Sequence, residues 1–494
     1  MPSKTAISPT REENFSAWYL QVIKAAELAE NAPVRGCMVI KPWGYGIWEN
    51  CQCLLDAMLK KAGHQNAYFP LLIPLSRIEK EASHIEGFAK ECAVVTHSRL
   101  EADGQGQLRP SSALEEPFVI RPTSEMIIGE MFARWIQSYR DLPLKINQWA
   151  NVLRWEMRPR LFLRTMEFLW QEGHTAHATS EEALKQAEDA LDLYKDFVEN
   201  DLALPVLSGR KTKNERFPGA VETYCIEAMM QDGKALQAGT SHFLGQNFSR
   251  SFDMTFLDQN SSQQLAWTTS WGVSTRLVGA IIMTHSDDDG LVLPPPIAPI
   301  HVVILPLSSK AQDKDGLLAY CHQMKDRLAQ VYYRGREIRV EIDLSDARPG
   351  EKAWKWVKRG VPIRIEVGPC ELENKSVYVG YRDKPYREKS SQSLDDFVSS
   401  LSETLETMHR FYFQRALDFR ERHTQLVRSE NELFDFFKSS QGFAQFHWKQ
   451  DDAIEERLKS ELKITPRCIL DKESFGPCIF SGETAPMTIF AKSY

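Results

Sequence analysis

No stretch of this 494-residue chain is long and apolar enough to span a membrane. The N-terminal Met1-Pro2-Ser3-Lys4-Thr5 has no signal-peptide apolar core, so the expectation is a cytoplasmic protein without membrane partners. A disulfide framework is missing too. Nine cysteines, an odd number scattered along a long chain, fit free thiols in a reducing compartment. Basic excess is absent: 60 Lys and Arg against 67 Asp and Glu leave a net charge of −7, so any nucleic acid must be met by local patches. Internal repeats and low-complexity tracts are lacking, which argues against a solenoid or a linker-rich chain. What remains is 43% hydrophobic and 26% charged residues, the balance of a globular protein with a sizeable core. Its length implies roughly two to four domains.

Periodicity outlines the order of elements. Phe15, Trp18, Tyr19, Val22, Ile23 and Ala26 recur at helical spacing and predict a helix over Glu12–Ala32. Gly36–Gly46 reads as a strand entering a Pro/Gly turn, with a helix over Ile47–Ala62 and a buried strand over Tyr68–Pro74. Helices are predicted near Ser124–Tyr139 and Ser180–Glu199. The run Gly290-Leu291-Val292-Leu293-Pro294-Pro295-Pro296-Ile297-Ala298-Pro299 marks a domain boundary, because prolines stop helices and stiffen the chain. Beyond it, strands at His301–Pro306, Arg339–Ile342 and Pro362–Val367 alternate with helical segments, including Ala319–Arg334. That order predicts an α/β domain on a parallel or mixed sheet. A helix from Ser393 to Leu426 and a small mixed region close the chain.

The residues from Arg154 to His177 carry the strongest chemical signal. Arg154, Arg158, Arg160 and Arg164 share this stretch with Glu156, Glu167, Glu172, His174 and His177, interleaved with Phe162, Phe168, Leu169 and Trp170. A solvated hairpin with weak surface ion pairs accounts for a charge run alone. The interleaved large apolar residues point instead to a half-buried sheet face bearing functional groups, with arginine forks suited to phosphate. Arg121-Pro122-Thr123-Ser124-Glu125 is open to two readings: Thr123 or Ser124 caps the next helix, or a hydroxyl and a carboxylate two residues apart hold an ammonium.

These motifs together resemble the prolyl-tRNA synthetases, class II aminoacyl-tRNA synthetases, of the archaeal/eukaryotic-like type without an inserted editing domain. Gly36–Pro74 resembles motif 1 and Arg121–Glu125 the proline-binding signature. Arg154–His177 resembles motif 2, and Trp271-Gly272-Val273-Ser274-Thr275-Arg276 motif 3. About 120 residues separate Arg154 from Arg276, too few for the catalytic framework plus an inserted domain. The resemblance covers nearly the whole chain and implies a mixed α/β (α+β) protein. Its parts would be a class II catalytic domain with an antiparallel sheet and flanking helices (1–297), an α/β anticodon-binding domain (298–400) and a small C-terminal domain (401–494). It also implies a homodimer formed through motif 1, with ATP as substrate, Mg2+ as companion ion, and L-proline and tRNA(Pro) as partners.

Carried over residue by residue, the resemblance makes Arg154 and Arg276 the catalytic cations. Arg154 would hold the α-phosphate and prolyl carboxylate, and Arg276 the adenine or γ-phosphate. Glu156 would accept from the adenine amine, Phe168 would stack on the base, and Arg164 and Thr165 would meet phosphate or adenine edges. Gln237 and Thr240 would contact ATP. The proline pocket would use Thr123, Glu125, Trp170, Glu172, His174 and His242, and Glu227 would be a magnesium ligand. The local segment Gln237–Phe248 reads by itself only as a Gly-punctuated turn and strand, and Glu227 by itself as a solvated helix glutamate.

The chain also departs from the pattern. Gly368-Pro369-Cys370 has cysteine where arginine or lysine is usual, and Val357 follows Trp356 where glutamate is usual, which removes polar groups from the anticodon side. Cations for RNA would come from Arg348–Lys352 and Lys358–Arg364. In the C-terminal region only Cys478 of a four-cysteine zinc site remains: Ser481 occupies its partner's place, and Phe446–Ala453 contains no cysteine. No structural zinc is therefore expected, with packing in its place. The terminal Tyr494 matches the family's, which docks near the active site. Two other functions compete: a class II synthetase for another small amino acid, against which Trp170–His174 argues, and a non-catalytic tRNA sensor, which intact Arg154 and Arg276 oppose.

Overall fold

The computed structural model describes residues 5–79, 92–307 and 314–494, the side chains of 314 and 471–474 excepted; of the polar N-terminal segment only Thr5 falls within it. Helix formation starts where capping allows it. Thr10 and Glu13 form a reciprocal capping box before the helix Arg11–Ala25, whose Trp18, Tyr19, Val22 and Ile23 are buried. That helix stops short of its predicted end. Glu27 takes a left-handed φ of 56°, and Ala29–Asn31 turns back to pair with Met38–Ile40.

The predicted strand over Gly36–Gly46 is likewise cut short, because Pro42 serves as the first-turn proline of the helix Pro42–Lys61. Gly44 within that helix is needed for close approach: a Cβ there would lie 2.3 Å from the Leu28 carbonyl oxygen. The buried strand expected at Tyr68–Pro74 narrows to Leu72–Pro74. It joins a long hairpin, Ala93–Ala102 and Leu108–Ile120, that the sequence reading does not place.

One eleven-stranded sheet organises the region that carries the arginine-bearing hairpin. From one edge it runs Gln65–Asn66, Leu144–Leu153, Glu167–His177, Trp267–Ser274, Ala235–Gly245, Glu222–Met229 and Val206–Arg210. It then continues through Thr465–Pro477, Thr484–Ala491, Phe443–His447 and Thr424–Leu426. Antiparallel pairing fixes which side chains meet: Gln148 lies opposite Glu172, Gly173 opposite Trp271, and His174 opposite Ser270. The helices Ser180–Asn200 and Arg276–His285 cover one face, with Tyr194, Phe197, Leu277 and Ile281 fully buried in the main core.

The C-terminal region is therefore not a detached unit, since its strands extend the same sheet through Ile469 opposite Arg210. A second, five-stranded mixed sheet is ordered Val340–Ile342, Val302–Pro306, Ile363–Val367, Ser376–Tyr381 and Lys389–Ser393, the first three strands parallel. The helix Leu394–Arg422 packs on it through Leu401, Leu405, Met408 and Tyr412. A junction at 400 thus falls inside a continuous helix whose apolar face still serves the second core.

Candidate active site

Alternation along a single strand builds the site. Phe168, Trp170, Glu172 and His174 are spaced two apart on Glu167–His177 and share one face of the sheet. They line a cavity of about 220 Å3 with Thr123, Glu125, Arg154, Gln237, Thr240, His242 and Arg276. An adjoining cavity of about 240 Å3 is lined by Arg154, Glu156, Arg164, Thr165, Phe168 and Arg276. Every candidate residue predicted from sequence except Glu227 lines one or both cavities.

The deep end is a closed polar network. The Glu172 carboxylate accepts from Ser124 Oγ at 2.5 Å, from Gln148 Nε2 at 2.8 Å and from His174 Nε2 at 2.9 Å. Thr123 Oγ1 donates to Glu125 Oε2 at the first turn of the helix Glu125–Trp135, where a carboxylate also suits the helix dipole. Ser124 takes the N-cap position without capping, because its hydroxyl is committed to Glu172. Gln148, fully buried, also accepts from the Phe69 backbone N–H at 2.5 Å and so ties the motif 1 segment to the pocket. Sequence reasoning missed Gln148 and this use of Ser124. The amide pair Asn147-Gln148 in a half-buried strand hints at buried polar groups but does not name their partners.

Burial pushes the Glu172 carboxyl up, but the His174 hydrogen bond and charge, with Ser124 and Gln148, outweigh it and hold it below its usual range. Burial pushes His174 down, yet Glu172 and then Glu125 raise it overall. The two shifts have opposite pH limits. The contribution of Glu172 is present above the unfolded carboxyl value of 4.5 and is lost as pH falls through its lowered folded value. That of His174 is complete below 6.5 and is lost as pH rises through its raised folded value. Stability from the pair should therefore be largest between these two pH values and decline on the alkaline side. Thermal unfolding of wild type and His174→Gln across pH checks this; identical alkaline slopes for the two proteins would contradict it. His242 behaves differently. Burial, then His174 and Arg154, press it down to about 3, so it is neutral, bonded to Thr223 at 3.1 Å and stacked on Phe217 at 4.5 Å. Phe217, Arg216 and Thr223, all cavity-lining, were not singled out in sequence because they sit in a loop and a strand without a recognisable spacing.

The other end is cationic. Arg154 lies over Phe168 and Trp170, 5.6 and 5.7 Å from their rings, and its Nε donates to the Pro122 carbonyl at 3.0 Å. Arg276 begins the helix Arg276–His285, donating from Nε to the Leu163 carbonyl at 3.1 Å. Burial, then Arg164 and Arg154, lower its pKa to about 10, which still leaves it charged at neutral pH. Three guanidinium groups concentrated at one end fit a polyanion such as a triphosphate. Glu156 forms a 3.6 Å ion pair with Arg164 and accepts from the Arg158 N–H. The Thr165 hydroxyl donates to the Glu167 carbonyl. Tyr494 docks nearby: its hydroxyl donates to Asp232 at 2.6 Å and Arg160 of the motif 2 loop lies 5.1 Å from its ring.

Glu227 departs from its assignment. It lies on the strand Glu222–Met229, not a helix, and is fully buried. Its oxygens accept from Lys211 Nζ at 2.9 Å and from Arg467 at 3.0 to 3.3 Å. A carboxylate already saturated by two cations does not fit a divalent metal ion, and among the described residues no group of three or more His, Cys, Asp or Glu side chains is placed to hold one.

On the anticodon side, Val357 is in the core, 2% exposed beside Trp356, so it offers nothing to a base. Cys370 is exposed at the start of the helix Pro369–Asn374. In the C-terminal region Cys478 is buried, while Phe446, Trp448 and Phe490 pack with ring centroids 4.7 to 5.1 Å apart.

This sheet with its arginine-bearing hairpin defines a class II aminoacyl-tRNA synthetase. The core domain of class II synthetases for Gly, His, Pro, Ser and Thr matches residues 109–285, the anticodon-binding domain 301–404, and the prolyl-tRNA synthetase C-terminal domain 431–494. The chain belongs to the prolyl-tRNA synthetase (proline–tRNA ligase) family. It is 57% identical to the proline–tRNA ligase of Rhodopirellula baltica over 99% of this chain and 98% of that one. It is 54% identical to proline–tRNA ligase 2 of Anaeromyxobacter dehalogenans, over 100% and 99%. The crystal structure of prolyl-tRNA synthetase from Cryptosporidium parvum complexed with L-proline and AMP superposes with a TM-score of 0.89 at 37% identity, covering 99% of this chain and 97% of that one.

Proposed function

We propose that this chain activates L-proline with ATP and transfers it to the 3′ end of tRNA(Pro). The observation that carries this reading is the convergence of the Glu172–His174–Ser124–Gln148 network and the Arg154–Arg164–Arg276 cations on one cavity. The first suits a small ring bearing an ammonium, with Thr123 and Glu125 as acceptors and Trp170 and His242 as walls. The second suits ATP, with Phe168 under the base, Glu156, Thr165, Gln237 and Thr240 at its edges, and Arg276 on base or phosphate.

In the first step a prolyl carboxylate oxygen attacks the α-phosphorus, and the bond to the bridging oxygen breaks, releasing pyrophosphate with its electron pair. No protein nucleophile is required. The cavity supplies proximity, and Arg154 stabilises the charge growing on the α-phosphoryl oxygens. In the second step the terminal ribose hydroxyl oxygen attacks the prolyl carbonyl carbon, and the bond from that carbon to the phosphate oxygen breaks. AMP leaves with its electron pair, and the hydroxyl proton passes to the departing phosphate or to solvent.

Proline-dependent exchange of pyrophosphate into ATP tests the reading. Wild type should exchange with proline and not with threonine or serine, and Arg154→Ala should lose roughly 10^2–10^3-fold in rate with unfolding little changed. Exchange driven by threonine would assign the pocket to another amino acid, and no exchange would favour a tRNA sensor.

The finer organisation follows. A catalytic domain through 297, an anticodon-binding domain whose long helix ends it near 422, and a C-terminal domain on the shared sheet fit the cores. Tyr68, 71% exposed, and Leu72, 40% exposed, leave apolar surface on motif 1 for a second copy, in keeping with a homodimer. Nine free cysteines agree with a cytoplasmic site of action. Aromatic packing in the C-terminal domain takes the place of zinc.

A further inference from the structure

Arg364 is the outlier among the cations of the anticodon-binding domain. It belongs to the basic run expected to meet RNA, yet it is 2% exposed and points into a cavity of about 190 Å3. That cavity lies where the second sheet meets the end of the motif 3 helix, and Arg382, Arg415, Tyr386 and the carboxylates Asp287, Asp289 and Asp383 share its walls. Asp287 is neutralised by Arg382, and the Asp289 carboxyl is pushed up by burial and the Asp287 charge. Its other buried cations are satisfied. Arg382 grips Asp287 through two nitrogens, at 2.7 and 2.5 Å, and donates to the Leu291 and Val357 carbonyls. Arg415 donates to the His285 carbonyl at 2.8 Å and lies over Phe411 and Tyr412.

Among the described residues the Arg364 guanidinium packs on the Tyr386 ring, 5.5 Å from its Cζ, and the Glu366 charge acts on it from beyond ion-pair distance. Its buried Nε has no hydrogen-bond partner, and among the described residues no carboxylate lies within ion-pair distance of its guanidinium. Gly380 makes room for it, since a Cβ there would fall 2.9 Å from Nη2.

We propose that this interdomain cavity is a binding site for a small free oxyanion, held by the Arg364 guanidinium. A guanidinium keeps its proton at neutral pH, and a buried one without a counter-charge is costly. An oxyanion supplies that charge and accepts two parallel N–H bonds in the geometry the fork presents. Asp383 is compatible with such a guest. Burial pushes its carboxyl up, which weakens its claim to a negative charge, and its buried Oδ1 has no hydrogen-bond partner among the described residues. The volume is below the roughly 300–1,000 Å3 typical of drug-sized ligands, which suits phosphate, pyrophosphate or a small carboxylate and not a polynucleotide strand.

Calorimetric titration of the whole protein tests the site, with proline and AMP present at saturation to occupy the catalytic cavity. Inorganic phosphate, pyrophosphate and acetate are the probes, and tRNA is a separate arm. Wild type should show one saturable site per chain for phosphate or acetate. Arg364→Met should weaken it at least tenfold and unfold no earlier than wild type in anion-free buffer, because it removes an uncompensated buried charge. Gly380→Ala, which crowds Nη2 but keeps the charge, should weaken it by a smaller factor and serves if the first variant does not fold. No saturable site in wild type, equal affinity in both variants, or protection by tRNA alone would overturn the proposal.

Discussion

Gly173→Ala should cost most of the exchange activity and lower the unfolding temperature, although it adds a single methyl group. A Cβ at Gly173 would fall 2.1 to 2.3 Å from the Trp271 indole, directly across the strand pair Glu167–His177 and Trp267–Ser274. That indole is 2% exposed and packs edge-on against His64 at 5.2 Å, so it has no free space to retreat into. Overpacking of this kind typically costs about 1–3 kcal/mol. The kinetic effect should be larger than the stability effect suggests. Glu172 and His174 flank the glycine and aim at the other face, so parting the strands moves both at once. Misplacement of a site by about 1 Å can lose roughly 10^2-fold in rate. Pyrophosphate exchange and thermal unfolding measure the two effects, and the double variant Gly173→Ala/Trp271→Leu should recover part of both if the collision is the cause. Near wild-type exchange in the single variant would mean the strand pair tolerates the methyl group.

The same strand shows what was legible in the sequence and what was not. Phe168, Trp170, Glu172 and His174 were readable because the segment resembles motif 2, and their period-two spacing is the physical reason they share a face after folding. Arg154 and Arg276 were readable because motifs about 120 residues apart carried them to the same place. Gln148 was hidden. Its role comes from lying opposite Glu172 in the register, which depends on pairing between strands and leaves no trace in local spacing. Arg364 was misplaced for the same reason, since a basic residue in a strand says nothing about which side of a two-sided sheet it serves, and Val357 was misplaced because it falls on the core face of the helix Pro349–Lys358. Gly44 was taken for part of a turn, although close approach to the Leu28 carbonyl is what requires glycine within that helix.

Glu227 is the plainest case of a carboxylate whose role depends on its neighbours, and Glu227→Gln separates the two roles. As a metal ligand, its loss should raise the magnesium concentration needed for exchange and leave the metal-free fold untouched. The geometry predicts the reverse. Burial pushes its carboxyl up, but the Lys211 and Arg467 charges and hydrogen bonds hold it low, so it is ionised and saturated. Lys211 is 2% and Arg467 7% exposed, and an amide at 227 leaves both cations buried without a counter-charge. Breaking such a pair typically costs about 3–5 kcal/mol. Because Arg467 comes from the C-terminal strand Thr465–Pro477 and Lys211 precedes the strand Glu222–Met229, the damage should loosen the seam that joins the C-terminal strands to the catalytic sheet. The sign with pH is fixed as well: the stability Glu227 provides is present above the unfolded value of 4.5 and is lost as pH falls through its lower folded value, and Glu227→Gln should flatten the acid limb. Thermal unfolding across pH, alongside the magnesium dependence of exchange, decides the matter. A variant as stable as wild type that needs several-fold more magnesium would restore Glu227 to the metal. A variant that unfolds much earlier, with an unchanged magnesium requirement, makes it the electrostatic bond between the catalytic sheet and the C-terminal strands.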